Sequence, residues 1–175
     1  MKILFVINDL FEESETINPY DVLKRSGYDV TIASKKNECV GSHGIHLSNL
    51  NILSDLDYST YDLVVLPGGP QYLKNQEDYD YLNLIHYFIK NKALACICAT
   101  PTILGHLGLL KDKKYTCFPP MNEDFGGTFT GEDATIDGNL ITGRGAGSSL
   151  VFAYKIVEYL EGIEKANKVK LDMFY

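Results

Sequence analysis

The run Ala93-Leu94-Ala95-Cys96-Ile97-Cys98-Ala99-Thr100-Pro101-Thr102 decides how this chain is read. Ala93–Ile97 are all apolar. The run is too short for a typical helix and lacks the alternation of a half-wet strand, so it predicts a strand buried on both faces. Thr100 has the chemistry of a helix cap and Pro101 suits a first helical turn. The chain therefore passes from strand to helix within three residues, and Cys98 stands on the turn.

Working outward, the same alternation recurs. Lys2–Ile7, Tyr28–Ala33 and Asp62–Leu66 read as core strands, and Tyr115–Phe118 as another. Between them lie the amphipathic stretches Glu13–Ser26, Tyr79–Lys92, Pro101–Leu107 and Ser148–Glu161, followed by a short charged helix at Glu164–Lys170. In the first of these, Ile17, Val22 and Leu23 fall on one stripe, and Gly27 is placed as its C-terminal stop. Val40–Leu47 reads as a short hairpin or excursion, and Ala134–Thr142 as a hairpin turning at Asp137-Gly138. Strand–helix–strand alternation with continuously apolar strands predicts an α/β fold, a doubly wound, mostly parallel sheet sandwiched by helices. With 175 residues, the expectation is one domain, residues 1–175. Sites in such folds lie beyond the C-terminal strand ends, which here are Asn8–Glu15, Pro67–Gly69, Cys98–Pro101 and Arg144–Ser148.

Composition narrows the function classes. A net charge of −7, with 45% hydrophobic and 22% charged residues, belongs to an ordinary globular protein. Lys111-Asp112-Lys113-Lys114 is the nearest thing to a basic cluster and reads as a solvated turn, so no nucleic-acid partner is expected. No stretch reaches the roughly 20 apolar residues of a membrane span. The apolar N-terminus stops at Asn8-Asp9, short of a signal sequence. Cys39, Cys96, Cys98 and Cys117 have no zinc spacing, and His43 and His46 are an isolated pair. Free thiols in a reducing cytoplasm, with no metal, are the expectation.

Three groups of residues carry candidate chemistry. Cys98 lies at a helix N-terminus, where the dipole favours a thiolate, or else it is a buried cysteine at a strand end. Pro67-Gly68-Gly69 is a tight turn or a source of N–H groups for an oxyanion. Glu12 and Glu13 complement the dipole of their helix, while Glu15 can point across the strand ends at Cys98. An ionised Glu15 would raise the thiol pKa, whereas a protonated one donating to the sulfur would lower it; a working pair needs burial to keep the acid neutral. Gly143-Arg144-Gly145-Ala146-Gly147 has the wrong spacing for a dinucleotide fingerprint.

These pieces occur together in one family. Phe11–Thr16 (F-E-E-S-E-T), Leu23–Thr31, Tyr61–Gly69 (Y-D-L-V-V-L-P-G-G), Ala95–Thr102, Thr116–Pro119 and Ile141–Ser149 stand in its order and cover nearly the whole chain. By them the chain resembles the ThiJ/PfpI superfamily, in the branch of the parkinsonism-associated protein DJ-one and its bacterial relatives. The resemblance implies a flavodoxin-like, class I glutamine amidotransferase-like sandwich that forms a homodimer. It implies that Cys98 is the reactive elbow cysteine and Glu15 the carboxylic acid bonded to it. It places Gly68, Gly69 and Ala99 as oxyanion amides, and Arg25 and Arg144 near the site and dimer face.

The implied activity is a cofactor-free glyoxalase or deglycase acting on 2-oxoaldehydes such as methylglyoxal or on glycated groups. The alternative is an oxidative-stress sensor or chaperone-like dimer without turnover; a flavodoxin-like nucleotide carrier is a weaker third reading. Four positions depart from the pattern. Ala99 replaces the His that follows the nucleophile in PfpI-type proteases, so no Cys-His protease is expected. Phe118 replaces a nearby His, Thr100 a common Gly, and His43 the arginine expected from a partner subunit.

Overall fold

The computed structural model describes residues 1–175. In chain order the first half comprises β1 (Lys2–Val6), α1 (Glu13–Arg25), β2 (Asp29–Ser34), β3 (Glu38–Val40), β4 (His46–Ser48), β5 (Asn51–Ile52) and β6 (Leu63–Leu66). The middle holds α2 (Tyr72–Asn75), α3 (Tyr79–Asn91), β7 (Ala93–Ile97), α4 (Thr100–His106), β8 (Lys114–Tyr115) and β9 (Thr128–Phe129). The chain continues through β10 (Ala134–Asp137), β11 (Leu140–Gly143), α5 (Ser149–Glu161) and α6 (Ile163–Asp172).

The main sheet has the order β10-β11-β7-β6-β1-β2-β5. All its pairings are parallel except the β10–β11 hairpin. Its five longer parallel strands thus run β2-β1-β6-β7-β11. From β1 the chain builds outward in one direction to β2, then returns to build in the other through β6 and β7. The gap between β1 and β6 is the switch point where such sheets leave a crevice at their C-terminal edge.

Alternation along each strand divides the core into two layers. Ile3 and Phe5 of β1, Leu63 and Val65 of β6, and Ala95 and Ile97 of β7 meet α1, α5 and α6. Leu4 and Val6, Val64 and Leu66, and Leu94 and Cys96 face the opposite way, against α3 and α4. The helices supply Val22 and Leu23 to the first layer and Tyr81, Leu84, Ile85 and Phe88 to the second. Both faces of the middle strands are therefore covered, which is why they read as unbroken apolar runs. No helix is long and apolar enough to cross a membrane.

Two expected elements differ. The strand expected at Tyr115–Phe118 ends at Tyr115, in a two-stranded pairing with β9. The Thr116 N–H instead donates to the Thr142 hydroxyl (2.9 Å) and the Phe118 N–H to the Cys98 carbonyl (2.8 Å). Pro119 and Pro120, having no N–H, cannot extend a ladder. Thr100 is also not the cap of α4: Ala99 holds that position without a side-chain bond, and the Thr100 hydroxyl donates to the Pro67 carbonyl (2.9 Å).

Phe88 is fully buried and packs edge-on against Tyr87. Phe88→Ala is expected to lose about 3–5 kcal/mol of unfolding free energy in a urea titration, whereas Tyr79→Ala, at a 77% exposed position, should lose less than about 0.5 kcal/mol.

Candidate active site

The loops after β1, β6 and β7 converge at the C-terminal edge of the sheet. Cys98 follows β7 with φ +64, a left-handed conformation that strains any residue with a Cβ. Backbone bonds hold it there: its N–H donates to the Gly143 carbonyl (3.0 Å) and its carbonyl accepts from Phe118. The bent backbone lifts the thiol out of the sheet, and Cys98 is half-buried while Cys39, Cys96 and Cys117 are buried.

Glu15 reaches the same place from the first turn of α1 and is fully buried. Its Oε2 accepts from the Gly68 N–H at 2.8 Å. Its Oε1 is buried without a hydrogen-bond partner, and the Cys98 thiol is the neighbouring side chain that lowers the pKa of this carboxyl. Burial raises Glu15 to about 7; Gly68 and Cys98 pull against that shift, and the charge of Glu12 adds to it.

The sulfur moves the same way. Burial first, then the charge and hydrogen bond of Glu15, push the Cys98 thiol well above the ordinary range, while the Ala99 and Gly69 N–H groups lower it. The helix dipole predicts a depressed thiol, and the structure corrects that: desolvation outweighs two N–H donors. The pair gives up one proton near neutrality. That singly ionised state has two tautomers, carboxylate with thiol and carboxylic acid with thiolate.

The oxyanion expectation resolves unevenly. The N–H groups of Gly69 and Ala99 act on the sulfur, but the Gly68 N–H is taken by Glu15. Space dictates both glycines. A Cβ on Gly68 would lie 2.8 Å from Cys98 Cβ and 2.8 Å from Glu15 Oε2; one on Gly69, where φ is +85, would lie 2.5 Å from the Glu12 nitrogen. Arg25 stands on the last turn of α1, away from the strand ends, bonded to Asp21 (2.8 Å). Arg144 adjoins the site in sequence, yet its side chain turns to Asp133. Neither arginine faces Cys98 within this chain.

Two features escaped sequence reasoning. Buried Gln71 clamps the Pro67–Gly69 loop: its Nε2 donates to the Pro67 and Gly68 carbonyls (2.9 Å each), and its Oε1 accepts from the Asn8 N–H (2.7 Å). Only its position two residues after Gly69 could have signalled it. Glu13, read as a dipole complement, is buried and bound to the Ser42–His43 loop; His43 Nδ1 lies 2.9 Å from its carboxylate. Glu12, Glu13 and His43 are the one grouping close enough to hold a metal. Glu13 and His43 already satisfy one another there, and His46 is not part of the grouping.

Comparison with known proteins shows the family and the fold. The DJ-1/PfpI family matches residues 1–159. "Protein DJ-1 homolog B" of Arabidopsis thaliana is 36% identical over 179 residues, which is 96% of this chain but 40% of that protein. The chain thus spans about two fifths of the length of that relative. "Glutathione-independent glyoxalase DJR-1.2" of Caenorhabditis elegans is 34% identical over 90% of this chain and 87% of its own. Among solved structures, Drosophila melanogaster DJ-1beta superposes with a TM-score of 0.89 at 30% identity, covering 99% of this chain and 97% of that one.

A raised carboxyl carries a sign for stability. The folded state holds the Glu15 proton more tightly than the unfolded chain, so its contribution is full below about pH 4.5 and is lost as pH rises through about 7. Glu15→Gln should match the wild type near pH 4 and become more stable than it by about 2–3 kcal/mol at pH 8, measured by urea unfolding across pH.

Proposed function

The chain belongs to the DJ-1/PfpI family, and from that premise we propose a cofactor-free, cysteine-dependent enzyme of the glyoxalase or deglycase type, acting on 2-oxoaldehydes such as methylglyoxal or on the adducts they form. The observation that carries this reading is the half-buried Cys98 on its strained turn, touched by an acid that burial brings to about 7. The name of the nematode relative supports the same class.

The Cys98 thiolate adds to the aldehyde carbon of methylglyoxal, forming a C–S bond while the carbonyl π pair becomes an alkoxide. The N–H groups of Gly69 and Ala99 stand where they can stabilise that charge. Glu15, protonated in the thiolate tautomer, gives its proton to the alkoxide and leaves a hemithioacetal. The resulting carboxylate then removes the proton on the same carbon and returns it to the neighbouring one, while the hydroxyl proton of the first carbon passes to the oxygen of the second. The first carbon is oxidised to a thioester and the second is reduced to an alcohol, so no outside oxidant enters. Water cleaves the thioester, releasing lactate and the thiol.

A second reading has its own observation: Cys98 is the one cysteine that is not buried. Graded peroxide would then add oxygen to Cys98 before Cys39, Cys96 or Cys117, as read by peptide mass spectrometry. Equal oxidation of all four would remove this reading.

For the enzyme, lactate formation from methylglyoxal should fall at least about a thousandfold in Cys98→Ser and about a hundredfold in Glu15→Gln. Iodoacetamide alkylation of Cys98 should rise through a midpoint near pH 7 in the wild type and shift upward in Glu15→Gln, because no acid then hands the pair its first proton loss. Unchanged turnover in Cys98→Ser would end the proposal.

A further inference from the structure

We propose that Phe118 sets the substrate class, as an apolar wall on which an aromatic or branched alkyl substituent of a 2-oxoaldehyde lies while Cys98 attacks the aldehyde carbon. This rests on the reading of Cys98 as a nucleophile.

Phe118 is 41% exposed, unusual for a large aromatic side chain in a fold whose other phenylalanines, apart from terminal Phe174, are largely covered. Its backbone is pinned to the elbow itself, its N–H donating to the Cys98 carbonyl at 2.8 Å. Buried Cys117 anchors the chain before it, and the turn Pro119–Met121, with two fixed proline φ angles, sets its direction afterwards. The ring is thus held open to solvent by a stiff segment.

Gly145 connects ring and sulfur. The point where its Cβ would stand lies 3.8 Å from Phe118 Cδ2 and 4.0 Å from Cys98 Sγ, with no nearer atom in the way. A Cβ there would make ordinary van der Waals contact with both, so ring and sulfur border the same gap. The φ of Gly145 is 167, extended backbone that any residue adopts, so its use here is its lack of a side chain. Because Gly145 carries no side chain, the space beyond that point, between ring and sulfur, is left to a substrate, with its reacting carbon toward the sulfur and its substituent against the ring.

The charges near this notch argue in the same direction. The charged group acting on the sulfur is Glu15. The neighbouring cation, Arg144, is directed to Asp133 and to the Gly131 carbonyl. With no cation of this chain turned to the notch, its own residues offer nothing to a carboxylate or phosphate, whereas an aryl group gains ring contact and desolvation.

The test compares phenylglyoxal with methylglyoxal in the wild type, Phe118→Ala and Phe118→Leu. Alongside it, Cys98 alkylation by N-benzyl iodoacetamide is compared with that by iodoacetamide. The ratio of kcat/KM for phenylglyoxal to that for methylglyoxal should fall about tenfold or more in Phe118→Ala and less in Phe118→Leu, and the alkylation ratio should fall with it. Turnover of both aldehydes with ratios unchanged in Phe118→Ala would overturn the role of Phe118 and leave the enzyme standing. No turnover of either aldehyde, with an alkylation ratio that still falls, would overturn the enzyme and leave the apolar wall. No turnover of either aldehyde together with an unchanged alkylation ratio would overturn both.

Discussion

A carboxyl group taken almost wholly out of water beside a sulfur atom is the constraint on which the rest of this structure turns. Burial alone would leave Glu15 neutral and inert, and burial alone would leave Cys98 a thiol. Placed together they share one exchangeable proton near neutrality. The architecture around them reads as the means of keeping both in place against that desolvation. The sheet ends where Cys98 must bend, α1 begins where Glu15 must turn inward, and the Gly68 N–H gives the acid its one well-aligned backbone donor.

The glycines and the amide clamp belong to that requirement. With a side chain at Gly68 the cysteine and the acid could not both approach the β6 loop, since that side chain would need the same space. Gln71 and Thr100 converge on the Pro67 carbonyl from two different elements, and Gln71 also holds Gly68 and Asn8. The loop is thereby tied to β1 and α4 at once. A left-handed cysteine stores roughly 1–3 kcal/mol of backbone strain, and these surrounding bonds are what make the bent conformation persist.

The sequence made the strands and the turns legible because their signals are local. Five apolar residues before Cys98, four before Pro67-Gly68-Gly69 and the Asp137-Gly138 turn each act within a few positions, so the alternating fold and the strand-end loops could be read directly. Glu15 could be nominated as well, since the first turn of α1 must lie beside those ends. The state of the sulfur was not legible. It depends on how much water each group loses and on which N–H groups are already used, and both are set by residues distant in sequence. Gly68 shows this well: its N–H was expected at the oxyanion and is spent on the acid. Arg25, expected near the site or the dimer face, does not face Cys98 within its own chain.

Glu13 and Glu15 make the physical point most sharply. They lie two residues apart at the start of one helix, and burial raises both. Glu13 nevertheless falls to about 2, because the His43 side chain and backbone and the Ser42 hydroxyl together outweigh its desolvation. Glu15 receives one backbone N–H and a thiol, and it rises. Donors set against depth of burial decide the sign: Glu13 has more donors and is less deeply buried, Glu15 has fewer and is fully buried. One acid is thus fixed as an anion that anchors the Ser42–Ile45 loop, and its neighbour is left free to exchange the proton. Had the loop's donors reached Glu15 instead, the carboxylate would hold its charge at every physiological pH, the sulfur beside it would stay protonated, and the same fold would carry an inert cysteine.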